Sequence, residues 1–194
     1  FGESTAVRRL ALSPHFVREL EHRCLVFYTG QSRISGDTIT AVLDAYRARE
    51  PRVLDALGHM KRLAEGMADA ILGEDLDALG GLVEAHWRHQ RALHPAITTP
   101  RIDRIFEVAA RAGAIGGKAL GASGGGCVLL VCAPGLVEPV RRAVEGLAIP
   151  VPYAVDLEGF AWWPAGDLLS PQEAAHGESY DTRYDPFSDT PSEA

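Results

Sequence analysis

The chain is poor in cysteine, with three in 194 residues. So sparse and odd a set does not build a disulfide scaffold, and a reducing cytoplasm is the expected location. A basic excess is also missing. Lys and Arg number 19 against 26 Asp and Glu, a net charge of −7, which argues against sequence-independent binding to nucleic acid. No apolar run approaches the roughly 20 residues of a membrane-spanning helix, so no membrane association is expected. The start lacks a basic stretch followed by an apolar one, and no signal peptide is expected. The first residue is Phe1 rather than methionine, which reads as a fragment, a processed product or a trimmed chain. Repeats are absent. So are a nucleophile-elbow sequence, a zinc-ligand spacing and a kinase catalytic-loop signature.

What is there is an ordinary globular composition, 46% hydrophobic and 23% charged, with length for one full core plus appendages. Ser13-Pro14 starts a short helix, and Cys24–Tyr28 reads as a buried strand stopped by Thr29-Gly30. Asp37 reads as the cap of a helix whose inward face is Ile39, Val42, Leu43 and Tyr46. A long helix opens at Pro51 and ends at Gly73. Another is capped by Asp75, and a third starts at Thr99-Pro100 and ends at Gly113. Two strands follow, Ile115–Leu120 and Cys127–Cys132. A helix bearing Val137, Val140, Val144 and Leu147 comes next, then a final strand Val151–Leu157. The order predicts an α+β domain with a four-stranded antiparallel, ferredoxin-like sheet and a helical layer on one face. From Gly166 onward Asp, Glu, Ser and Pro dominate and periodicity is lost. The predicted division is a folded domain over 1–165 and a disordered acidic tail over 166–194.

The densest feature is Gly116-Gly117-Lys118-Ala119-Leu120-Gly121-Ala122-Ser123-Gly124-Gly125-Gly126, running directly into the Cys127 strand. Glycine costs chain entropy, so such a cluster needs a close backbone or ligand approach. Its N–H groups could cradle an anion. It is neither a Walker loop nor a dinucleotide fingerprint, because a strand and not a helix follows. Composition leaves ligand contact and plain backbone packing evenly balanced. Thr29, Gly30 and Arg33 concentrate polar chemistry where the first strand surfaces, and Arg33 could grip a phosphate or be a solvated loop arginine. His86 and Gln90 share a helix face. His86 and His89 could pair on a metal, but no third ligand stands at a recognisable spacing, and no metal site is expected.

The run Gly113-Ala114-Ile115-Gly116-Gly117-Lys118-Ala119-Leu120-Gly121-Ala122-Ser123-Gly124-Gly125-Gly126-Cys127 resembles the third motif of the GHMP small-molecule kinases, with Ser123 where glycine is common. Leu25–Gly30 with Arg33, His86-Trp87, Pro100–Asp103 and Val155–Gly159 resemble the heptose 7-phosphate kinase and L-fucose kinase group. The resemblance covers roughly residues 5 to 160. It implies the C-terminal, substrate-side half of an ATP-dependent sugar kinase, inactive alone, with ATP and Mg²⁺ held mostly by an N-terminal ATP-binding domain. That domain's first two motifs do not occur in this chain, and no catalytic residue is assigned here, the base being expected in the other domain. The implied phosphate and substrate loop is Gly121, Ala122, Ser123, Gly124, Gly125 and Gly126. The implied substrate-binding residues are Thr29, Gly30, Arg33, Lys118 and His86, and the implied partners are a sugar or sugar phosphate and the N-terminal domain. The competing reading is a non-catalytic sugar-phosphate-binding or regulatory module, or the remnant of a split kinase.

Overall fold

Among the described residues, six α-helices and a four-stranded sheet make up the fold. The computed structural model describes residues 10–31, 36–121 and 123–156. The predicted acidic tail lies outside the described residues. The architecture below belongs to one compact unit ending at Val155.

Helix α1 (Pro14–Arg23) begins as its sequence dictates, because the Ser13 hydroxyl accepts from the Phe16 N–H at 3.1 Å and Pro14 occupies the first turn. It feeds directly into β1 (Cys24–Tyr28). Helix α2 (Gly36–Arg47) starts two residues earlier than a cap at Asp37 would give. Asp37 is therefore not its cap but an acidic residue of its first turn, where a carboxylate complements the helix dipole. The predicted inward face of α2 is also corrected. Thr38 is buried and Val42 and Ala45 pack on the core, whereas Ile39, Leu43 and Tyr46 stay 44–46% exposed.

Helices α3 (Pro51–Leu72) and α4 (Leu76–Ala92) form a long antiparallel hairpin. At their junction Gly73 keeps right-handed geometry and Glu74 takes φ 54°. The Glu74 carboxylate accepts from the Ser13 N–H and hydroxyl, tying the junction to the start of α1. Asp75 caps α4 through the Ala78 N–H, and Thr99 caps α5 (Pro100–Ala112) through the Ile102 N–H. Gly113, at φ 113°, turns the chain into β2 (Ala114–Ala119). Then follow β3 (Cys127–Cys132), α6 (Val137–Val144) and β4 (Ile149–Pro150).

The sheet order is β2-β3-β1-β4, all antiparallel. The expected last strand Val151–Leu157 is corrected: β4 is the two-residue Ile149–Pro150 just before it, and residues 151–156 form no strand. Val151 donates to the Val26 carbonyl at 2.9 Å, and pairing then stops. Pro150 and Pro152 have no N–H to give a ladder, which confines this edge to a stub. In register, Leu25 faces Leu130 and Phe27 faces Val128, and with Cys132 and Ala119 they form one sheet face, packed with Ile102 and Ile105 of α5 and Val140 and Val144 of α6. Cys24 and Val131 lie on the other face, covered by Phe16 of α1, Ala70 of α3, and Leu76, Leu79 and Val83 of α4. That cover ends before the glycine-loop end of the sheet, where Val26, Tyr28, Lys118, Cys127 and Leu129 are only half-buried.

Candidate functional site

The loop from Leu120 to Gly126 joins β2 to β3, and its neck is closed by the Leu120 N–H on the Cys127 carbonyl at 2.9 Å. Gly121, Ser123, Gly124 and Gly126 all have φ between 66° and 80°, a conformation that glycine alone adopts without strain. Ser123 is the exception, and its surroundings compensate. It is 9% exposed, and its hydroxyl donates to the Ile97 carbonyl in the turn Pro95–Ile97, where the Gly124 N–H also donates at 2.9 Å.

The other end of the loop is held as firmly. The Gly126 N–H donates to the Gln31 carbonyl at 2.7 Å. The Gly126 carbonyl accepts from both the N–H and the hydroxyl of Thr29, each at 2.9 Å. Thr29 is 1% exposed, so its hydroxyl anchors the loop. Two of the N–H groups that could cradle an anion, those of Gly124 and Gly126, are therefore engaged with the protein itself. Arg33 and Ala122 lie outside the described residues.

Helix α4 forms the wall beside the loop. A Cβ on Gly116 would meet the Gly80 carbonyl oxygen at 1.9 Å, so helix and strand touch backbone to backbone. From the Gly80–Gly116 contact, the helix climbs about 15 Å to residue 90, and the strand extends about 10 Å to its end at Ala119, two residues before Gly121. The two run together, and Gln90 Nε2 meets the Gly121 carbonyl at 3.2 Å. Along this stretch His86 Nδ1, Trp87 Nε1 and Gln90 Oε1 are buried without a hydrogen-bond partner. Buried polar atoms are nearly always paired, so three within two turns mark an incomplete site.

Lys118 emerges from β2 on the α4 side, two residues beyond Gly116 and therefore on the same strand face. It is half-buried, and the ion pairs among the described residues do not include it. Burial lowers its pKa. Burial first, then the Lys118 charge and His89, lower that of His86, which favours the neutral ring. His89 points elsewhere, its ring stacked on His59 of α3 at 4.5 Å. Among the described residues no three His, Cys, Asp or Glu side chains converge to hold a metal ion. The thiols of Cys24 and Cys132 are pushed up by burial to about 12 and about 11, so they are inert packing groups.

One residue escaped the sequence reading. Arg101, in the first turn of α5, donates through Nε to the Leu147 carbonyl at 2.9 Å. This places its guanidinium 3.8–3.9 Å from where a Cβ on Gly30 would stand, and Gly30 has φ 77°. In the sequence Arg101 stood at a helix start and within the Pro100–Asp103 stretch that carried the resemblance, but not among the candidate site residues. The neighbour of Gly30 is set by a contact 71 residues away along the chain.

Residues 67–147 match the family model described as GHMP kinases C terminal. The chain is 30% identical over 122 residues to the bifunctional fucokinase/GDP-fucose pyrophosphorylase of Arabidopsis thaliana, covering 63% of this chain and 12% of that protein. It is 24% identical over 138 residues to D-glycero-alpha-D-manno-heptose 7-phosphate kinase of Campylobacter jejuni, covering 70% of this chain and 38% of that one. Among solved structures, mevalonate kinase of L. major in complex with R-mevalonate superposes with a TM-score of 0.59 at 16% identity, over 68% of this chain and 43% of that chain. The chain thus spans less than half the length of each of these relatives. Among the described residues no helix is long and apolar enough to cross a membrane.

Proposed function

From a chain whose residues 67–147 match the family model of GHMP kinase C-terminal domains, we propose the substrate-side half of an ATP-dependent sugar kinase, one that transfers the γ-phosphoryl group to a hydroxyl of a heptose phosphate or similar sugar. The relatives named as fucokinase and heptose 7-phosphate kinase support a sugar as acceptor. The observation that carries the reading is the glycine loop itself. Its anchors at Thr29, Gln31 and Ile97 fix it in place, while Gly121 and Gly126 have open space where a side chain would be. A loop that is rigid but bare lets a phosphoryl group approach the backbone closely. Phosphoryl transfer depends mainly on positioning and charge stabilisation, so such a wall is useful without a nucleophile of its own.

In this proposal the loop of Gly121 to Gly126 faces the transferring group. Gly30, Arg33, Lys118 and His86 face the sugar, and Thr29 acts by holding the loop exit. Metal, nucleotide and general base are assigned to an N-terminal ATP-binding domain, on the same or another chain. The apolar stripe of Ile39, Leu43 and Tyr46 on α2 is consistent with further protein surface to be covered. A phosphotransfer assay across sugars and sugar phosphates tests the reading, with this chain alone and with an N-terminal ATP-binding domain supplied. Turnover is expected only with that domain. Turnover by the 194-residue chain alone would overturn the division of labour.

A further inference from the structure

We propose that the free edge of β2 is a docking groove for an extended segment of another protein, with an apolar residue opposite Gly117 followed by a lysine or arginine opposite Gly116. The groove would serve such a partner whether or not the glycine loop serves a sugar.

The first observation is the hydrogen-bond parity of the sheet. β2 is an edge strand, with β3 on one side only. Leu120 donates to the Cys127 carbonyl at 2.9 Å. Bonded and unbonded pairs alternate along an antiparallel ladder, so in this register Lys118 bonds to Leu129 and Gly116 to Val131. Gly117, between them, turns its N–H and carbonyl away from β3 and into the free edge. The other side of β3 agrees: Thr29 donates to the Gly126 carbonyl, which assigns Val128 and Leu130 to β1 and leaves Leu129 and Val131 for β2. Among the described residues no hydrogen bond crosses the edge to meet the two Gly117 groups. Gly117 is nonetheless buried, and buried backbone groups are nearly always paired.

The second observation is the space at this edge. A cavity of about 270 Å³ has Gly116 and Gly117 on its floor, Glu84 of α4 on one wall, and Phe106 and Ala110 of α5 on the other. Helix α4 touches the Gly116 side of the strand and Phe106 the Gly117 side. Two helices thus flank the edge, which leaves room for one extended chain and none for another domain. Glu84 is half-buried, and the ion pairs among the described residues do not include it.

These features select the occupant. A strand added antiparallel to β2 makes both hydrogen bonds with Gly117, and its side chains alternate between the faces. Residues directly opposite each other share a face. The residue opposite Gly117 therefore meets Phe106, which suits an apolar side chain. The next residue, opposite Gly116, lies on the α4 face with Glu84. A half-buried carboxylate is costly without a cation, so lysine or arginine belongs there. A free amine would leave the Gly117 groups unpaired, and an uncharged strand would leave Glu84 unpaired. The irregularity between Ala114 and Gly116 ends regular pairing, so the contact is short.

Amide shifts and hydrogen exchange of the ¹⁵N-labelled whole chain test this with three capped pentapeptides of threonine and valine. One carries lysine after a central valine. The second has norleucine in place of the lysine, and the third keeps the lysine but has the central valine N-methylated. The lysine peptide is expected to bind in about the millimolar range, to shift Gly117 and to slow exchange of its amide. N-methylation removes the donor to the Gly117 carbonyl and should weaken binding about tenfold. Norleucine should weaken it by about the same factor. Glu84→Gln should bring the lysine peptide down to the norleucine level and leave the norleucine peptide unchanged, which separates a lost ion pair from a folding defect. Equal binding of the N-methylated peptide, or undiminished binding of the lysine peptide to Glu84→Gln, would overturn the groove. So would no shift at Gly117 with any peptide. A Gly117 amide already protected in the free chain would also overturn it, because the edge would then be paired by the chain itself or by a second copy.

Discussion

The two halves of the glycine run need glycine for opposite reasons. In β2, Gly116 and Gly117 are short of space: their missing side chains make room for the Gly80 backbone on one face and for Phe106 and Leu130 on the other. In the loop, Gly121 and Gly126 have nothing within 4 Å of a Cβ position, and left-handed backbone is what requires glycine there. The strand half is a packing device that brings α4 against the sheet. The loop half is a shape held open. A glycine-rich motif is therefore not one functional unit, and only half of it is available to the substrate.

The most severe way to break this contrast is Gly116→Ala. Its Cβ would stand 1.9 Å from a backbone oxygen that cannot rotate away, so α4 must lift from β2. A loss of about 3 kcal/mol or more is expected, seen as a fall in Tm of about 6–12 °C. Gly121→Ala should cost less, about 1–2 kcal/mol, because only the left-handed backbone opposes it. Gly121→Asn should recover part of that loss, since asparagine tolerates this conformation. Equal losses for Gly116→Ala and Gly121→Ala would erase the distinction between the halves. Thr29→Val keeps the side-chain shape and removes one of two donors to the Gly126 carbonyl, so about 1 kcal/mol should go. If sugar-phosphate binding falls while Tm holds, Thr29 touches the ligand rather than the loop.

The smallest expected effect concerns pH. His89 has its pKa lowered by burial first, then by His59, Arg88 and Arg62, so the folded chain holds its proton less tightly than the unfolded chain does. The unfolded state then binds more protons, and stability falls with acidification below about pH 6.5. His89→Gln should flatten the pH dependence of Tm in that window. An unchanged slope would show that the α3–α4 hairpin does not feel the His59–His89 stack.

Local chemistry made much of this fold legible. Ser13, Asp75 and Thr99 act as the caps their sequences suggest, and the apolar runs Cys24–Tyr28 and Cys127–Cys132 are strands with those bounds. The shared face of His86 and Gln90 was also readable from their spacing. Three things were not. The stub of β4 reflects two prolines at a sheet edge, whose effect depends on which neighbour the strand meets. The exposure of Ile39, Leu43 and Tyr46 depends on how α2 rolls on α3, and helical spacing does not specify that roll. The contact of Gly80 with Gly116, and that of Arg101 with Gly30, join segments far apart in the chain, and no local signal encodes them. Those contacts place α4 and α5 around the loop, so the site's walls were the least legible part.

The most direct test of the divided glycine run is a residue-resolved amide shift map of the ¹⁵N-labelled chain titrated with a hexose 6-phosphate. Shifts should gather at Lys118, Gly121, Ser123 and Gly125 and be negligible at Gly116 and Gly117. Shifts centred on Gly116 and Gly117, or a loop that does not respond while the ligand binds elsewhere, would contradict the assignment of the ligand to the loop half.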